Sequence, residues 1–186
     1  MSENKHNKRK VVVTGGAGFI GSHLADALVE GGYEVHVVDN LSAGKREHVH
    51  SDATLHVVDI RDYNKLKEVF SDADTVFHLA AIPQVQYSIE NPALTNEVNA
   101  QGTMNVLAAA KDAGVRRVVY SASSAAYGDR EDAPFNEEME ASPISPYALQ
   151  KYIGELKCKL FSALYPLETV SLRYFNVYGT RQDPNH

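Results

Sequence analysis

Eight residues near the start of the chain, Thr14-Gly15-Gly16-Ala17-Gly18-Phe19-Ile20-Gly21, narrow its fold more than any other feature. They follow an apolar β-branched run, Val11-Val12-Val13, and precede a segment in which Ile20, Leu24, Ala27 and Leu28 recur at helical spacing until Gly31-Gly32. The glycines satisfy G-x-G-x-x-G from Gly16 and Gly-x-x-Gly-x-x-Gly from Gly15. Between a strand and a helix, that spacing permits a tight turn and lets backbone approach a pyrophosphate, whose charge is favoured by the free N–H groups of the helix N-terminus. A bare glycine match is equally an ordinary strand-to-helix turn. A second strand, Glu34 to Asp39, completes a βαβ unit and favours the nucleotide reading.

The same alternation runs on. Strands are expected at Thr54 to Val58, Thr75 to Leu79, Arg117 to Ser121 and Thr169 to Tyr174, with helices at Asp62 to Phe70, Pro92 to Ala113 and Pro146 to Leu164. Asn91-Pro92 reads as an N-cap and first-turn pair. Six strands with helices on both faces make an α/β, doubly wound parallel sheet of the Rossmann type. At 186 residues the expectation is one domain. The acidic, aperiodic stretch from Asp129 to Pro143 reads as a surface loop over the site.

Composition excludes several roles. The net charge of −6 and the lack of a basic stripe argue against a nucleic-acid partner; Lys5, Lys8, Arg9 and Lys10 make the first residues locally basic, with residues 1–9 read as a flexible lead-in. No apolar run suits a secretory signal or a membrane span, so the expected location is cytoplasmic. Cys158 is the only cysteine, which leaves no internal disulfide, and the eight histidines show no metal-ligand spacing.

Asp39 ends the second strand 18 residues after Gly21, where a carboxylate accepts hydrogen bonds from ribose hydroxyls and repels a 2′-phosphate. The expected cofactor is therefore NAD rather than NADP, with Lys45 and Arg46 read as solvated loop charges. Asp59-Ile60 reads either as a contact to the adenine edge or, through Asp59, as a cap on the next helix. His78-Leu79-Ala80-Ala81 ends the fourth strand near the cofactor path, and His78 itself reads as a packing histidine. Tyr147 and Lys151 stand four residues apart in Pro146-Tyr147-Ala148-Leu149-Gln150-Lys151. A phenol is a poor base at its ordinary pKa of about 10, and a cation one helical turn away is expected to stabilise its phenolate. Ser123 completes the group as a hydrogen-bond donor to the reacting oxygen.

With these motifs in this order, the chain resembles the extended short-chain dehydrogenase/reductase family, and within it the UDP-sugar 4-epimerases. Leu172-Arg173-Tyr174-Phe175-Asn176-Val177-Tyr178-Gly179 with Arg181-Gln182-Asp183-Pro184 is similar to the segment that leads into the family's substrate lobe, particularly in UDP-N-acetylglucosamine 4-epimerases. The resemblance implies cofactor contacts at Gly15, Gly18, Phe19, Ile20, Gly21, Asp39, Asn40, Leu41, Ser42, Ala43, Gly44, Asp59, Ile60, Leu79, Ala80, Ala81, Asn99, Ser121, Tyr147, Lys151 and Tyr174. It makes Ser123, Tyr147 and Lys151 catalytic, and adds Ser124 and Asn176 to the substrate site, with Phe175 where cofactor and sugar meet.

The reaction so implied is oxidation of a UDP-hexose at C4 and reduction of the 4-keto sugar from its opposite face, with NAD retained. The family's 4,6-dehydratases place Asp-Glu after the catalytic serine or threonine, where this chain has Ser124-Ala125. Decarboxylation or epimerisation of a UDP-glucuronate is the other rival. Family members continue well past Tyr178-Gly179 into a substrate lobe, so the 186 residues are expected to be a fragment of an active enzyme, the alternative being a short NAD-binding structural or regulatory module, and in either case to bind NAD without turnover. The resemblance further implies a homodimer paired through the helices near Pro92 to Ala113 and Pro146 to Leu164.

Overall fold

The chain forms β1 (Lys10–Thr14), α1 (Phe19–Glu30), β2 (Glu34–Asp39), β3 (Thr54–Val57), α2 (Tyr63–Phe70), β4 (Thr75–His78), α3 (Val85–Glu90), α4 (Pro92–Asn96), α5 (Thr103–Asp112), β5 (Arg117–Ser123), α6 (Pro146–Leu164) and β6 (Glu168–Tyr174). This is a computed structural model, and it describes residues 8–130, 132 and 134–183. Residues 1–7 of the basic lead-in and Pro184 of the C-terminal motif lie outside the described residues.

All six strands pair in parallel in the order β3-β2-β1-β4-β5-β6. Val13 of β1 lies between Val37 of β2 and Phe77 of β4. The order reverses between β1 and β4, and such a switch point opens a crevice at the carboxyl ends of the strands.

The β-branched runs bury on both faces, as a covered parallel sheet requires. On one face Val12, Val38, Val76, Val118 and Tyr120 meet Leu66 and Phe70 of α2, Val106 and Leu107 of α5, and Cys158 and Phe161 of α6. On the other, Val11, Val13, Val35 and Val37 pack on Ala25 of α1, with Leu24 and Leu28 at the margin. Val170 and Leu172 of β6 remain exposed.

Local chemistry sets the boundaries. Ser145 caps α6, its Oγ accepting from the Ala148 N–H at 3.1 Å, and Pro146 takes the first helical position. The cap of α2 is Asp62, whose carboxylate accepts from the Lys65 N–H at 3.2 Å. Asp59 is therefore not that cap: it accepts from the Arg61 backbone and guanidinium and from Asn40. Asn91 is the N-cap residue of α4 with Pro92 in its first turn, as expected, although its side chain makes no cap bond and donates back to the Tyr87 carbonyl of α3.

The segment expected as one helix from Pro92 to Ala113 is continuous but contains a π-helical turn, Glu97–Gly102, between α4 and α5. A π turn leaves carbonyls in need of partners, and Lys157 of α6 donates to the Ala100 carbonyl at 2.6 Å. α3 has no counterpart in the expected elements. β5 runs two residues beyond the expected Ser121, which carries Ser123 on the strand itself. Among the described residues, no helix is long and apolar enough to cross a membrane.

Candidate active site

The turn from β1 into α1 is built to exclude side chains. Gly15 has φ +73°, and a Cβ there would stand 2.7 Å from the Ala80 N at the end of β4. A Cβ on Gly21 would stand 2.2 Å from the Gly15 carbonyl oxygen. No side-chain cap bond is made at α1, which leaves the N–H groups of its first turn without a side-chain partner next to the switch point.

Asp39 closes the adjoining side. It is 8% exposed, and its two carboxylate oxygens accept from the Ala17 N–H at 3.0 Å and the Leu41 N–H at 2.8 Å. These bonds fix the carboxylate while leaving lone pairs free. Leu41 is held at φ 58°, a conformation that costs a leucine, and Ser42 N–H is held by the Asn40 side chain at 3.0 Å. Ala43 is exposed and Gly44 packs against Ala17 and Asp39. Asn40 donates to Asp59 at 3.0 Å, which joins the loops after β2 and β3. The Arg61 guanidinium holds the Asp59 carboxyl down at about 2, so it stays ionised. Ile60 is buried against Gly102.

Leu79, Ala80 and Ala81 follow β4 beside this turn. His78 is fully inside, placed between Thr14 Oγ1 at 2.7 Å and Thr103 Oγ1 at 3.0 Å, and burial holds it neutral with a pKa of about 3. It packs, as its surroundings in the sequence suggested. Asn99 is 1% exposed, and its amide is committed: Oδ1 accepts from Ile82 N–H at 2.8 Å, while Nδ2 donates to the Ile82 carbonyl at 3.0 Å and to Gln150 Oε1 at 2.8 Å. Its side chain clamps the loop after β4.

The ends of β5 and the start of α6 bring Ser123, Tyr147 and Lys151 to one place. Ser123 is hydrogen-bonded to the Tyr147 hydroxyl, and its Oγ also accepts from Ala125 N–H at 3.2 Å. Lys151 is 4% exposed and donates from Nζ to the Ser121 carbonyl at 2.9 Å. The Tyr147 ring centroid lies 6.0 Å from that Nζ. Tyr174 lies beside Ser123 in register, half-buried. Ser124 opens the short turn after β5, and Asn176 is exposed just past β6. Phe175 stacks with Phe135 of the 129–143 loop, centroids 6.1 Å apart.

The electrostatics differ from the expected lysine-lowered phenol. Burial raises Tyr147 above its ordinary value, and the Ser123 hydrogen bond pulls the other way. Lys151 bonds instead to Ser121, and burial pushes its own pKa down to about 8. Sequence reasoning also missed the residues that seat α6: Ser88 Oγ accepts from Tyr147 N–H at 3.1 Å, and Gln150 joins Asn99 to Thr95 Oγ1 at 3.0 Å. Gln150 stands inside the Tyr-x-x-x-Lys segment, but only burial marks it as structural.

These residues fit a dinucleotide: a cradle that one methyl would fill, an uncapped helix N-terminus, and a fixed carboxylate beside them. Among the described residues, no group of three or more His, Cys, Asp or Glu could hold a metal ion.

A model of the NAD dependent epimerase/dehydratase family matches residues 11–186. The UDP-glucose 4-epimerase of Streptomyces lividans is 40% identical over 176 residues, which cover 93% of this chain and 54% of that protein. The UDP-N-acetyl-alpha-D-glucosaminuronate decarboxylase of Bacillus cytotoxicus is 39% identical, over 94% of this chain and 56% of its own length. Among solved structures, the UDP-glucose 4-epimerase of Thermotoga maritima with UDP-glucose superposes with a TM-score of 0.92 at 40% identity, over 95% of this chain and 59% of that one. The chain thus spans little more than half the length of the relatives it matches.

Proposed function

The chain belongs to the NAD dependent epimerase/dehydratase family, and from that premise we propose that it is the NAD-binding, proton-transferring part of a UDP-hexose 4-epimerase. The observation that carries the reading is the meeting of Ser123, Tyr147 and Lys151 at the carboxyl ends of the strands, beside a cradle shaped for NAD.

Gly15 to Gly21 hold the pyrophosphate through backbone N–H groups, and Asp39 holds the adenosine ribose. Residues 40–44 with Asp59 and Ile60 surround the adenine. Leu79 to Ala81, kept in place by Asn99, line the path to the reactive end, with Ser121 and Tyr174 beside it. When bound, NAD supplies the acceptor and then the donor of the electron pair at the sugar C4.

Tyr147 takes the proton of the C4 hydroxyl as that carbon becomes a carbonyl, and returns it after the ketosugar has presented its other face. Ser123 hydrogen-bonds the same oxygen and orients it. Its bond to the tyrosine hydroxyl favours the phenolate against the opposing effect of burial. Lys151 binds the nicotinamide ribose and contributes a positive charge below about pH 8. Asn176 and Ser124 contact the nucleotide sugar. Ser124-Ala125 after Ser123 supplies no acid/base pair for elimination of water, which favours epimerisation over dehydration.

A second reading, C4 oxidation coupled to loss of the C6 carboxylate from a uronate, has support from the 39% identical decarboxylase. The two are told apart by incubating the complete gene product with UDP-galactose and separately with UDP-N-acetylglucosaminuronate and UDP-glucuronate. Interconversion of UDP-galactose and UDP-glucose without added NAD supports the epimerase. Release of carbon dioxide from either uronate, with no C4 inversion, overturns it. The acetylated UDP-hexose pair belongs in the same assay, since it fits the same C4 chemistry.

The reading includes a cytoplasmic homodimer. Leu149, Leu156, Leu160 and Leu164 form an exposed apolar strip on α6 that suits pairing with a second copy, and light scattering of the complete protein measures it.

A further inference from the structure

Lys151 is a buried cation with no carboxylate against it among the described residues. Desolvation is the cause of its lowered pKa, and its ammonium donates to the neutral Ser121 carbonyl. An ammonium removed from water needs compensation. The aromatic face nearest to it belongs to Tyr120, whose ring centroid lies 5.2 Å from Nζ, closer than that of Tyr147. Tyr120 sits on β5 just before Ser121 and is 1% exposed. Its hydroxyl donates to the Lys151 backbone carbonyl at 3.3 Å. That approach is open because residue 154 is glycine: a Cβ there would stand 2.2 Å from the Tyr120 oxygen and 2.4 Å from its Cζ. Tyr120 therefore holds one residue at two points, its backbone carbonyl through the hydroxyl and its ammonium over the ring.

We propose that Tyr120 is a positioning residue for the reaction assigned above: its ring, admitted by Gly154, supplies the π face that holds the Lys151 ammonium at the floor of the site. The catalytic meaning rests on that reading of Lys151, whereas the contact itself does not.

The surrounding groups leave the ring as the main compensation. His78 of β4, with its ring 5.6 Å from that of Tyr120, is neutral. Along α6, Tyr147 is a raised phenol, Cys158 is a thiol pushed up to about 11, and Glu155 is paired with Arg173 at 2.8 Å. Lys157 turns away to the Ala100 carbonyl.

The test is a titration of the Lys151 side chain by NMR in protein labelled with carbon-13 lysine, its signal assigned by its loss in Lys151→Arg. Three variants are compared: Tyr120→Phe, pentafluorophenylalanine at the same position, and Tyr120→Leu. Phenylalanine keeps the ring face, so its midpoint stays within ~0.3 pH units of the parent. Fluorination reverses the ring quadrupole at nearly the same shape and lowers the midpoint by about one unit, a tenfold loss of proton affinity. Leucine lowers it by a similar amount if that variant folds. Equal midpoints for the phenylalanine and fluorinated proteins overturn the proposal. NAD affinity is measured alongside by calorimetry. A midpoint that shifts with no change in affinity keeps the contact and counts against Lys151 as a cofactor ligand.

Discussion

The two halves of the site are made of different material. The half between β1 and β2 is backbone: N–H groups, a positive-φ glycine, and a carboxylate fixed by two amides. The half between β5 and α6 is side chains, held by further side chains at Ser88, Asn99 and Gln150. A backbone site fails when an atom is added. A side-chain site fails when an atom is removed.

Tyr147→Phe tests the second half and carries the largest expected effect. Removing one oxygen should lower epimerisation by the complete protein roughly 10²- to 10⁴-fold, while NAD affinity and melting temperature change little. Near-parental turnover would take the base assignment away. Gly21→Ala tests the first half. Its Cβ meets the Gly15 carbonyl, and the expected cost is about 3 kcal/mol in urea unfolding with loss of measurable NAD binding. A variant that binds NAD normally would show that the cradle has slack.

Lys151→Met probes the cost of the buried charge. In the folded chain the pKa is about 8 against an ordinary 10.5, so the unfolded state binds more protons between those values and stability rises with pH across that window. Below pH 8 the full desolvation cost is present. Methionine should therefore raise stability at pH 7 by up to about 3 kcal/mol and remove that part of the rise above pH 8. A stability difference between variant and parent that is independent of pH from 7 to 10.5 would contradict the burial. Asp39→Asn is the mildest: it places a donor against one of two N–H groups and removes the charge facing the ribose. NAD affinity should fall about tenfold, near 1.4 kcal/mol, with less discrimination against NADP in competition binding.

The same contrast explains what could be read from the chain in advance. Backbone geometry leaves its mark in composition, so the glycines, Asp39 and all six strands stood within a residue or two of their places. α6 matched at both ends because Ser145, Pro146 and the apolar period agree. Side-chain networks leave no such mark. Gln150 and Ser88 are ordinary polar residues until the fold buries them, and α3 is too short for a period to show. The π turn escaped because its hydrophobic positions continue through it, while the change lies in hydrogen-bond register. The bond of Lys151 to the Ser121 carbonyl was hidden for a related reason: a spacing of four fixes which side of a helix two groups share, and burial decides which partner each finds.

The strand order has a consequence for how the molecule comes into being. β1 is first to be made and lies in the middle of the sheet, yet one of its partners, β4, is not synthesised until residues 75–78. Until then Val11, Val12 and Val13 have an open edge that only a distant segment can fill. Parallel pairing across such separations makes folding slow and leaves early chains prone to the wrong partner. Val11, Val12 and Val13, which lead into the cradle, therefore wait unpaired on one edge while the chain between β1 and β4 is completed.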